Sequence, residues 1–350
     1  MDTSSQRKIK RVSPASEISQ IAREITLALV GDGPTLGFGE ISSEFAPNYA
    51  AVAIGTSGTT GASKEVLLTS TALISSARLS NKFIGAKPGE TWSLLLPLTH
   101  VAAVNVIVRS IELGTIPIDL RSFDGEYPKA NYTAIVPTQL FRALNGDQRL
   151  LSHLKSVKTV LVGGAALSQA LRNQAELAGI NIVTTYGMTE TSGGCVYDGT
   201  ALEGVEIEIR NGKICIKGPV LASSISLNAG WFETNDLGEY DNNQLVIIGR
   251  SDDVIISGGE NLSLDAVENS LSIAFPDDQF AAFSIEDPHW GQSLQIAVVG
   301  STSDNEIAAH LEMDLGYFAK PKEVHHMKSL PLLGIGKIDR KSLARGFAHE

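Results

Sequence analysis

The sequence predicts an α/β protein: a large N-terminal domain with mainly parallel sheets covered by helices plus a β-rich subregion, and a small, mobile α+β C-terminal domain. Between residues 50 and 190 short β-rich runs alternate with helical ones, the order that builds a parallel sheet. Several of those strands are apolar on successive residues, as expected where both faces are covered. The texture then changes twice, to short strands and turns after Thr200 and to a mixed pattern after Ser251. A length of 350 residues with 43% hydrophobic content can fill two cores.

In order, the predicted strands are 51–55, 92–96, 132–136, 159–162 and 182–185, with helices over 70–84, 102–113 and 168–178. The β-rich subregion holds strands at 205–210, 213–217 and 245–248, and the pair Asn211–Gly212 marks a hairpin between the first two. Strands at 280–285 and 295–299 and helices at 264–271 and 305–311 complete the chain. The domain boundary is expected at Arg250–Asp253, giving 1–250 for a large domain with a shortened N-terminus and 251–350 for the small one. The opening run MDTSSQRKIKRVSP carries few groups able to bury apolar area and is expected to be a frayed end.

A formal charge of −11 and a pI near 5.2 oppose general binding to nucleic acid or an anionic membrane, so small anionic substrates would need local cations. Cys195 and Cys215 offer no disulfide or zinc framework and are expected to be reduced. No run approaches the roughly 20 apolar residues that cross a bilayer, and the polar start lacks the apolar core of a secretion signal. A cytoplasmic location is the expectation.

The segment after the first strand, Thr56, Ser57, Gly58, Thr59, Thr60, Gly61, Ala62, Ser63 and Lys64, has the chemistry of a phosphate cradle. Its glycines let the backbone approach an anion, its hydroxyls can donate, and Lys64 supplies charge. The spacing is not that of a Walker loop, which disfavours a P-loop hydrolase. A Gly/Thr surface turn is the alternative for this stretch alone.

Thr56–Lys64 resembles the phosphate loop of the adenylate-forming superfamily of acyl-CoA synthetases, peptide-synthetase adenylation domains and luciferases. Four further stretches match in that family's order: Thr185-Tyr186-Gly187-Met188-Thr189-Glu190-Thr191, Thr234-Asn235-Asp236, Gly249-Arg250-Ser251-Asp252-Asp253 and Gly334-Ile335-Gly336-Lys337-Ile338. The resemblance implies ATP, Mg²⁺ and coenzyme A as cofactor and co-substrates, and a carboxylic acid as the other partner.

By that resemblance Glu190 is the metal ligand, Thr189 touches the α-phosphate, Tyr186 stacks on adenine and Gly164, Ala165 and Ala166 form the wall beside it. Asp236 would accept both ribose hydroxyls and Arg250 would donate there. The family usually has Gly where this chain has Asn235, which suggests a left-handed turn that Asn tolerates. Asp252 falls at the family's hinge, and Ser257, Gly258, Gly259 and Glu260 resemble the loop lining the pantetheine tunnel. Lys337 resembles the lysine that bridges carboxylate and α-phosphate. The acid is its own nucleophile, so catalysis reduces to aligning two anions and stabilising the developing charge.

His100, Asn105 and Arg109 lie at the start of and within an apolar predicted helix, where an unpaired arginine is costly. This run resembles the corresponding segment of o-succinylbenzoate-CoA synthetases of menaquinone biosynthesis, especially short actinobacterial forms. Their substrate has two carboxylates, and Arg109 could hold the one not activated, with Gly187 also facing the acid. Arg109 could instead pair with Glu112 or Asp119. The shortened start leaves room for a second copy of the chain, a homo-oligomer, to cover an exposed sheet edge. Two other readings stay open: an adenylating ligase for a different acid or for a carrier protein, and a non-catalytic nucleotide-binding scaffold subunit.

Overall fold

In the computed structural model, which describes residues 6–57, 63–251, 253–257, 260–287, 291–332 and 338–347, the chain opens on a strand, β1 (Gln6–Arg11). This corrects the expected frayed end over those residues. Only Ile9 is buried there, so the polar sequence conceals the strand. What holds it is backbone pairing on both sides, parallel to β2 (Thr35–Phe38) and antiparallel to β3 (Phe45–Pro47), with Arg7 Nε donating to the Gly33 carbonyl at 2.9 Å.

The chain divides into two compact units, Met1–Gly164 with Ala175–Glu208 and Cys215–Glu233, and Ala165–Gln174 with Ile209–Ile214 and Thr234–Glu350. In the first unit β4 (Ala50–Ser57) and β5 (Ser63–Thr69) complete a five-stranded sheet in the order β3-β1-β2-β4-β5. A second, seven-stranded sheet contains β6 (Trp92–Leu94), β7 (Ile118–Asp119), β8 (Tyr132–Ile135), β9 (Thr159–Gly163), β10 (Ile182–Met188), β11 (Gly193–Tyr197) and β12 (Thr200–Ala201). Its order is β12-β11-β10-β9-β8-β6-β7, parallel from β7 to β10 and antiparallel from β10 to β12.

Helix α1 (Ile18–Val30) stops at Gly31, whose φ of 90° suits a residue without Cβ. Helix α2 (Ser70–Phe83) starts where the Thr69 hydroxyl accepts from the Ala72 N–H at 3.1 Å. It touches both sheets, meeting β4, β5 and β11, while α3 (Val101–Glu112) meets β6, β8 and β11 of the second. Helices α4 (Pro137–Leu144), α5 (Gln148–Ser156) and α6 (Gln169–Leu177) follow β8 and β9 as crossovers. The parallel strands are apolar because they are buried: Trp92, Leu94, Tyr132, Ile135, Val160, Leu161 and Val162 are all core residues.

A four-stranded sheet has the order β13 (Glu206–Arg210), β14 (Lys213–Lys217), β15 (Phe232–Asp241), β16 (Gln244–Arg250). Asn211 and Gly212 have φ of 51° and 78°, as a type I′ hairpin turn demands, and Asn242 and Asn243 repeat the pattern at 48° and 65°. The second unit continues with β17 (Val254–Ser257), β18 (Glu260–Ser263), β19 (Gln279–Asp287), β20 (Gly291–Val299) and β21 (Glu323–His326), ordered β18-β17-β20-β19 with β21 parallel to β20. Helices α7 (Leu264–Ala274) and α8 (Asp304–Leu315) close one core around Val267, Leu271, Ile296, Val298, Ile307 and Leu311. Helix α9 (Arg340–Phe347) meets β19 and contributes Leu343 and Phe347 to another, with Phe283 and Ala297.

Both cysteines are buried, neither is in a disulfide among the described residues, and burial pushes the Cys195 thiol up to about 12. Among the described residues no helix is long and apolar enough to cross a membrane.

Candidate active site

The strands on either side of the predicted phosphate loop, β4 and β5, pair antiparallel. Thr56 pairs with Lys64 across β4 and β5, and its hydroxyl donates to the Lys64 carbonyl at 3.0 Å. Gly58, Thr59, Thr60 and Gly61, like the Ser57 side chain, lie outside the described residues. The hairpin stem is tightly seated. A Cβ on Gly55 would stand 2.1 Å from the Glu40 carbonyl oxygen, so only glycine lets the two backbones meet. Glu65, beside Lys64, accepts from the Ser42 N–H at 2.7 Å, the Ser42 hydroxyl at 2.8 Å and the Ser43 N–H at 3.0 Å. Burial alone would raise its carboxyl, but these hydrogen bonds from Ser43 and Ser42 carry it down to about 2.

Facing this stem is the turn that follows β10. Thr189, Glu190 and Thr191 form a 3₁₀ turn, capped where the Met188 N–H donates to the Thr191 hydroxyl at 2.9 Å. Glu190 Oε1 lies 3.8 Å from Lys64 Nζ. The pairing is fixed from a third segment: the Ala222 N–H donates to the Glu190 carbonyl at 2.8 Å, while the Ser223 N–H and the Ser224 hydroxyl hold both backbone groups of Leu67 at 3.2 and 2.9 Å. Tyr186 and Thr185 are half-buried on β10, which runs beside β9 with Thr185 opposite Gly163. Gly164 follows with φ of 86°, and Gly164, Ala165 and Ala166 are exposed. A Cβ on Gly187 would stand 2.1 Å from the Gly193 carbonyl oxygen, so that position admits no side chain.

His100 is the residue before α3, with extended backbone at φ −127°, and the helix carries Asn105 and Arg109 inward. Asn105 is buried, and its Nδ2 donates to the Ser192 carbonyl at 2.8 Å. Arg109 is 4% exposed. Its Nη2 donates to the Tyr197 hydroxyl at 3.0 Å, its guanidinium carbon sits 5.1 Å from the centre of the Trp92 ring, and its Nε has no hydrogen-bond partner among the described residues. The acids considered as internal partners are engaged elsewhere: Glu112 binds Arg78 Nε at 2.5 Å and Asp119 binds Arg121 Nη2 at 2.8 Å.

In the second unit Asp236 and Arg250 are paired residues on β15 and β16, with Arg250 Nη1 3.2 Å from Asp236 Oδ1. Asp236 is buried, and Thr234 accepts its N–H at 3.0 Å. Asn235 lies within β15 without a positive φ, so the left-handed turn expected there is absent and the β15 ladder sets its conformation instead. Ser257 faces Glu260 across the β17–β18 hairpin, the first buried and the second exposed. Asp252, Gly258, Gly259 and Lys337 lie outside the described residues.

The profile of the AMP-binding enzyme family matches residues 6–224. The chain belongs to the AMP-binding enzyme family. It is 36% identical over 329 residues to a Mycobacterium tuberculosis protein named "Probable 2-succinylbenzoate--CoA ligase", covering 86% of this chain and 85% of that one. It is 30% identical over 333 residues to the 2-succinylbenzoate–CoA ligase of Lactococcus lactis, covering 87% of this chain and 72% of the relative. Among solved structures it resembles the o-succinylbenzoate-CoA synthetase of Bacillus subtilis in complex with its acyl-adenylate intermediate, with a TM-score of 0.74, 23% identity and coverage of 96% and 82%. The amide bond synthetase McbA of Marinactinospora thermotolerans shares the fold at a TM-score of 0.77 and 20% identity, over 97% of this chain and 80% of that one. The α/β fold class expected from the sequence is thereby borne out, as is an AMP-forming acid–thiol ligase.

In this AMP-binding enzyme the fold brings Thr56, Lys64, Thr189 and Glu190 to adjoining strand ends, a cation and a carboxylate amid hydroxyls. Sequence reasoning missed Ser192, Gly193, Trp92 and Tyr197, which shape the ground under Asn105 and Arg109. Ser192 has φ of 52° and a buried hydroxyl without a partner among the described residues. Gly193 has φ of 101°, and a Cβ there would stand 1.7 Å from Asn105 Nδ2. The consecutive glycines Gly193 and Gly194 were the available signal of close backbone approach.

Proposed function

We propose that this chain is the ATP-dependent 2-succinylbenzoate–CoA ligase of a menaquinone pathway, acting through an acyl-AMP intermediate in the cytoplasm. The observation that carries the substrate is Arg109: a buried guanidinium, stacked on Trp92 and held by Tyr197, with an unused Nε donor and no carboxylate neighbour among the described residues. A dicarboxylic acid supplies the missing anion and leaves its other carboxylate for activation. His100, Asn105 and Gly187 belong to the same acid-binding region in this reading, Asn105 by fixing the Ser192 turn.

ATP binds with its phosphates on the hairpin turn from Thr56 to Lys64, its ribose on Asp236 and Arg250, and its adenine between Tyr186 and the Gly164, Ala165, Ala166 segment. Among the described residues no three His, Cys, Asp or Glu side chains gather as a metal cage. Mg²⁺ keeps several waters and phosphate oxygens and needs one or two carboxylates. Glu190 is the carboxylate available, and the bound ion would screen the charge on the phosphates. Thr189 donates to the α-phosphate, and Lys337 draws it and the attacking carboxylate together. Lys64 offsets charge on the pyrophosphate leaving group. For thiolation the small domain, 251–350, turns about Asp252 and brings Ser257, Gly258, Gly259 and Glu260 to the pantetheine arm.

The test is acid-dependent ATP–pyrophosphate exchange followed by CoA-dependent release of AMP, over a panel of aromatic and aliphatic acids. Exchange and thioester formation with 2-succinylbenzoate are the expected results. Folded enzyme that exchanges with another acid but not with this one would overturn the substrate, and exchange with none would overturn the reading.

A further inference from the structure

Lys64 and Glu190 stand on different sheets, Lys64 on β5 of the five-stranded one and Glu190 on the turn after β10 of the seven-stranded one. Their own contact, at 3.8 Å with Lys64 largely exposed, is too weak to fix one sheet against the other. A third segment ties them. The Ala222 N–H donates to the Glu190 carbonyl at 2.8 Å, and two residues on the Ser224 hydroxyl accepts the Leu67 N–H at 2.9 Å. Between them Ser223 donates twice to the Leu67 carbonyl, from its N–H and from its hydroxyl, at 3.2 Å each.

All three pieces are anchored beside these bonds. Val66 and Leu68 flank Leu67, Thr191 follows Glu190, and Val220 and Ala222 precede the serines; every one of them is buried. On its other side the turn is held by Ser76, whose hydroxyl donates to the Ser192 carbonyl at 3.0 Å. Strand β5 ends its sheet, so among the described residues no strand pairs with its outer side, and the outward N–H and C=O of Leu67 meet the serines instead. Ser223 and Ser224 are exposed, so water can take over a bond that either hydroxyl gives up, and the fold gains little from it. What the Ser224 hydroxyl does set is the separation of Leu67 from Ala222. Lys64 lies three residues before Leu67, and Ala222 holds Glu190, so the same bond sets the spacing of the two charged side chains.

We propose that Ser224 is a positioning residue for adenylation. With Ser223 it clasps β5 to the turn after β10 and keeps the Lys64 ammonium and the Glu190 carboxylate at the spacing the ATP phosphates require. It acts only through those two side chains. The inference rests on the reading of Lys64 and Glu190 given above, in which both serve the first half-reaction.

Ser224→Val and Ser224→Thr test it, since they share one shape and differ in the hydroxyl. Both half-reactions are measured separately: acid-dependent ATP–pyrophosphate exchange, and thioester formation from supplied acyl-AMP and CoA. A displacement near 1 Å can cost about 100-fold, so partial loosening in Ser224→Val should lower exchange roughly 10-fold while thioester formation stays within about threefold. Ser224→Thr should exchange within about threefold of the parent. Loss of one exposed hydrogen bond should move the melting temperature of Ser224→Val by no more than about 4 °C. Folded Ser224→Val that exchanges at the parental rate, an equal fall in both half-reactions, or a Ser224→Thr enzyme as impaired as Ser224→Val overturns the proposal. If Ser224→Val does not fold, Ser224→Ala is judged by the same outcomes. Lys64→Ala is the control. If it exchanges normally, the reading of Lys64 falls and this proposal with it; if it is impaired while Ser224→Val is not, only the positioning role is lost.

Discussion

Lys64 and Glu190 meet at 3.8 Å, one on the stem of the β4–β5 hairpin and the other on the turn after β10, although 126 residues separate them in the chain. Lys64 is 60% exposed, so this pair contributes only about 0–1 kcal/mol to stability. In the proposed function its value is chemical. Glu190→Gln should leave the melting temperature within about 2 °C yet lower ATP–pyrophosphate exchange roughly 100-fold, because a carboxylate contact to a metal or phosphate site is lost. A Mg²⁺ titration checks the role: the variant should need more metal for half-maximal exchange, and an unchanged requirement would assign Glu190 elsewhere.

Arg109 yields a prediction that discriminates between substrates. Arg109→Met keeps the apolar stem on Trp92 but removes the donors, so KM for 2-succinylbenzoate should rise about 100-fold, near the 2–3 kcal/mol of a charge-assisted hydrogen bond pair. With an analogue that lacks the second carboxylate, parental and variant enzymes should behave alike. Equal losses on both acids would make Arg109 a purely internal support.

The elements around the nucleotide motifs were legible because their signals are local. Strands buried on both faces read as apolar runs, and Asn211–Gly212 states its own turn. Strand β1 was hidden because one buried residue, Ile9, leaves no periodic pattern, and pairing partners over 20 residues away hold it. The turn at Ser192 and Gly193 was equally obscure, since what fixes it is Asn105 on a helix 87 residues earlier. Asn235 misled in the opposite direction: a residue common in left-handed turns is held extended by the β15 ladder.

Gly193 should tolerate no substitution. A Cβ would clash with Asn105 Nδ2 at 1.7 Å, and φ of 101° is itself strained for any other residue. Gly193→Ala should cost on the order of 3 kcal/mol or more, read by denaturant unfolding. Adding Asn105→Ala removes the clash and leaves the backbone cost of about 1–2 kcal/mol, so the double variant should be more stable than Gly193→Ala alone. A double variant that is less stable would refute the steric account.

Glu65 predicts an acid limit. Its folded carboxyl lies near 2 against an ordinary 4.5, so its hydrogen bonds to Ser42 and Ser43 stabilise the fold fully above pH 4.5. That contribution is lost as pH falls through about 2. Glu65→Gln should cost roughly 1–2 kcal/mol at pH 7 and progressively less below pH 4.5, because the protonated parent loses the same bonds. Parallel unfolding curves for parent and variant between pH 3 and 7 measure this, and a constant gap would rule it out.

Glu268 works in the opposite sense. Burial raises its carboxyl to about 7, with Asp265 adding to the rise, while Arg340 and the Ala282 N–H pull it down. The folded state therefore holds a proton that the unfolded chain releases above its ordinary 4.5. The resulting stabilisation is complete below pH 4.5 and fades as pH rises through about 7. Glu268→Gln cannot take part in this, so its stability relative to the parent should increase between pH 5 and 7.5. Urea unfolding at those two pH values decides the matter. A difference between parent and variant that does not change with pH would mean that Glu268 is ionised throughout, paired with Arg340 as an ordinary salt bridge.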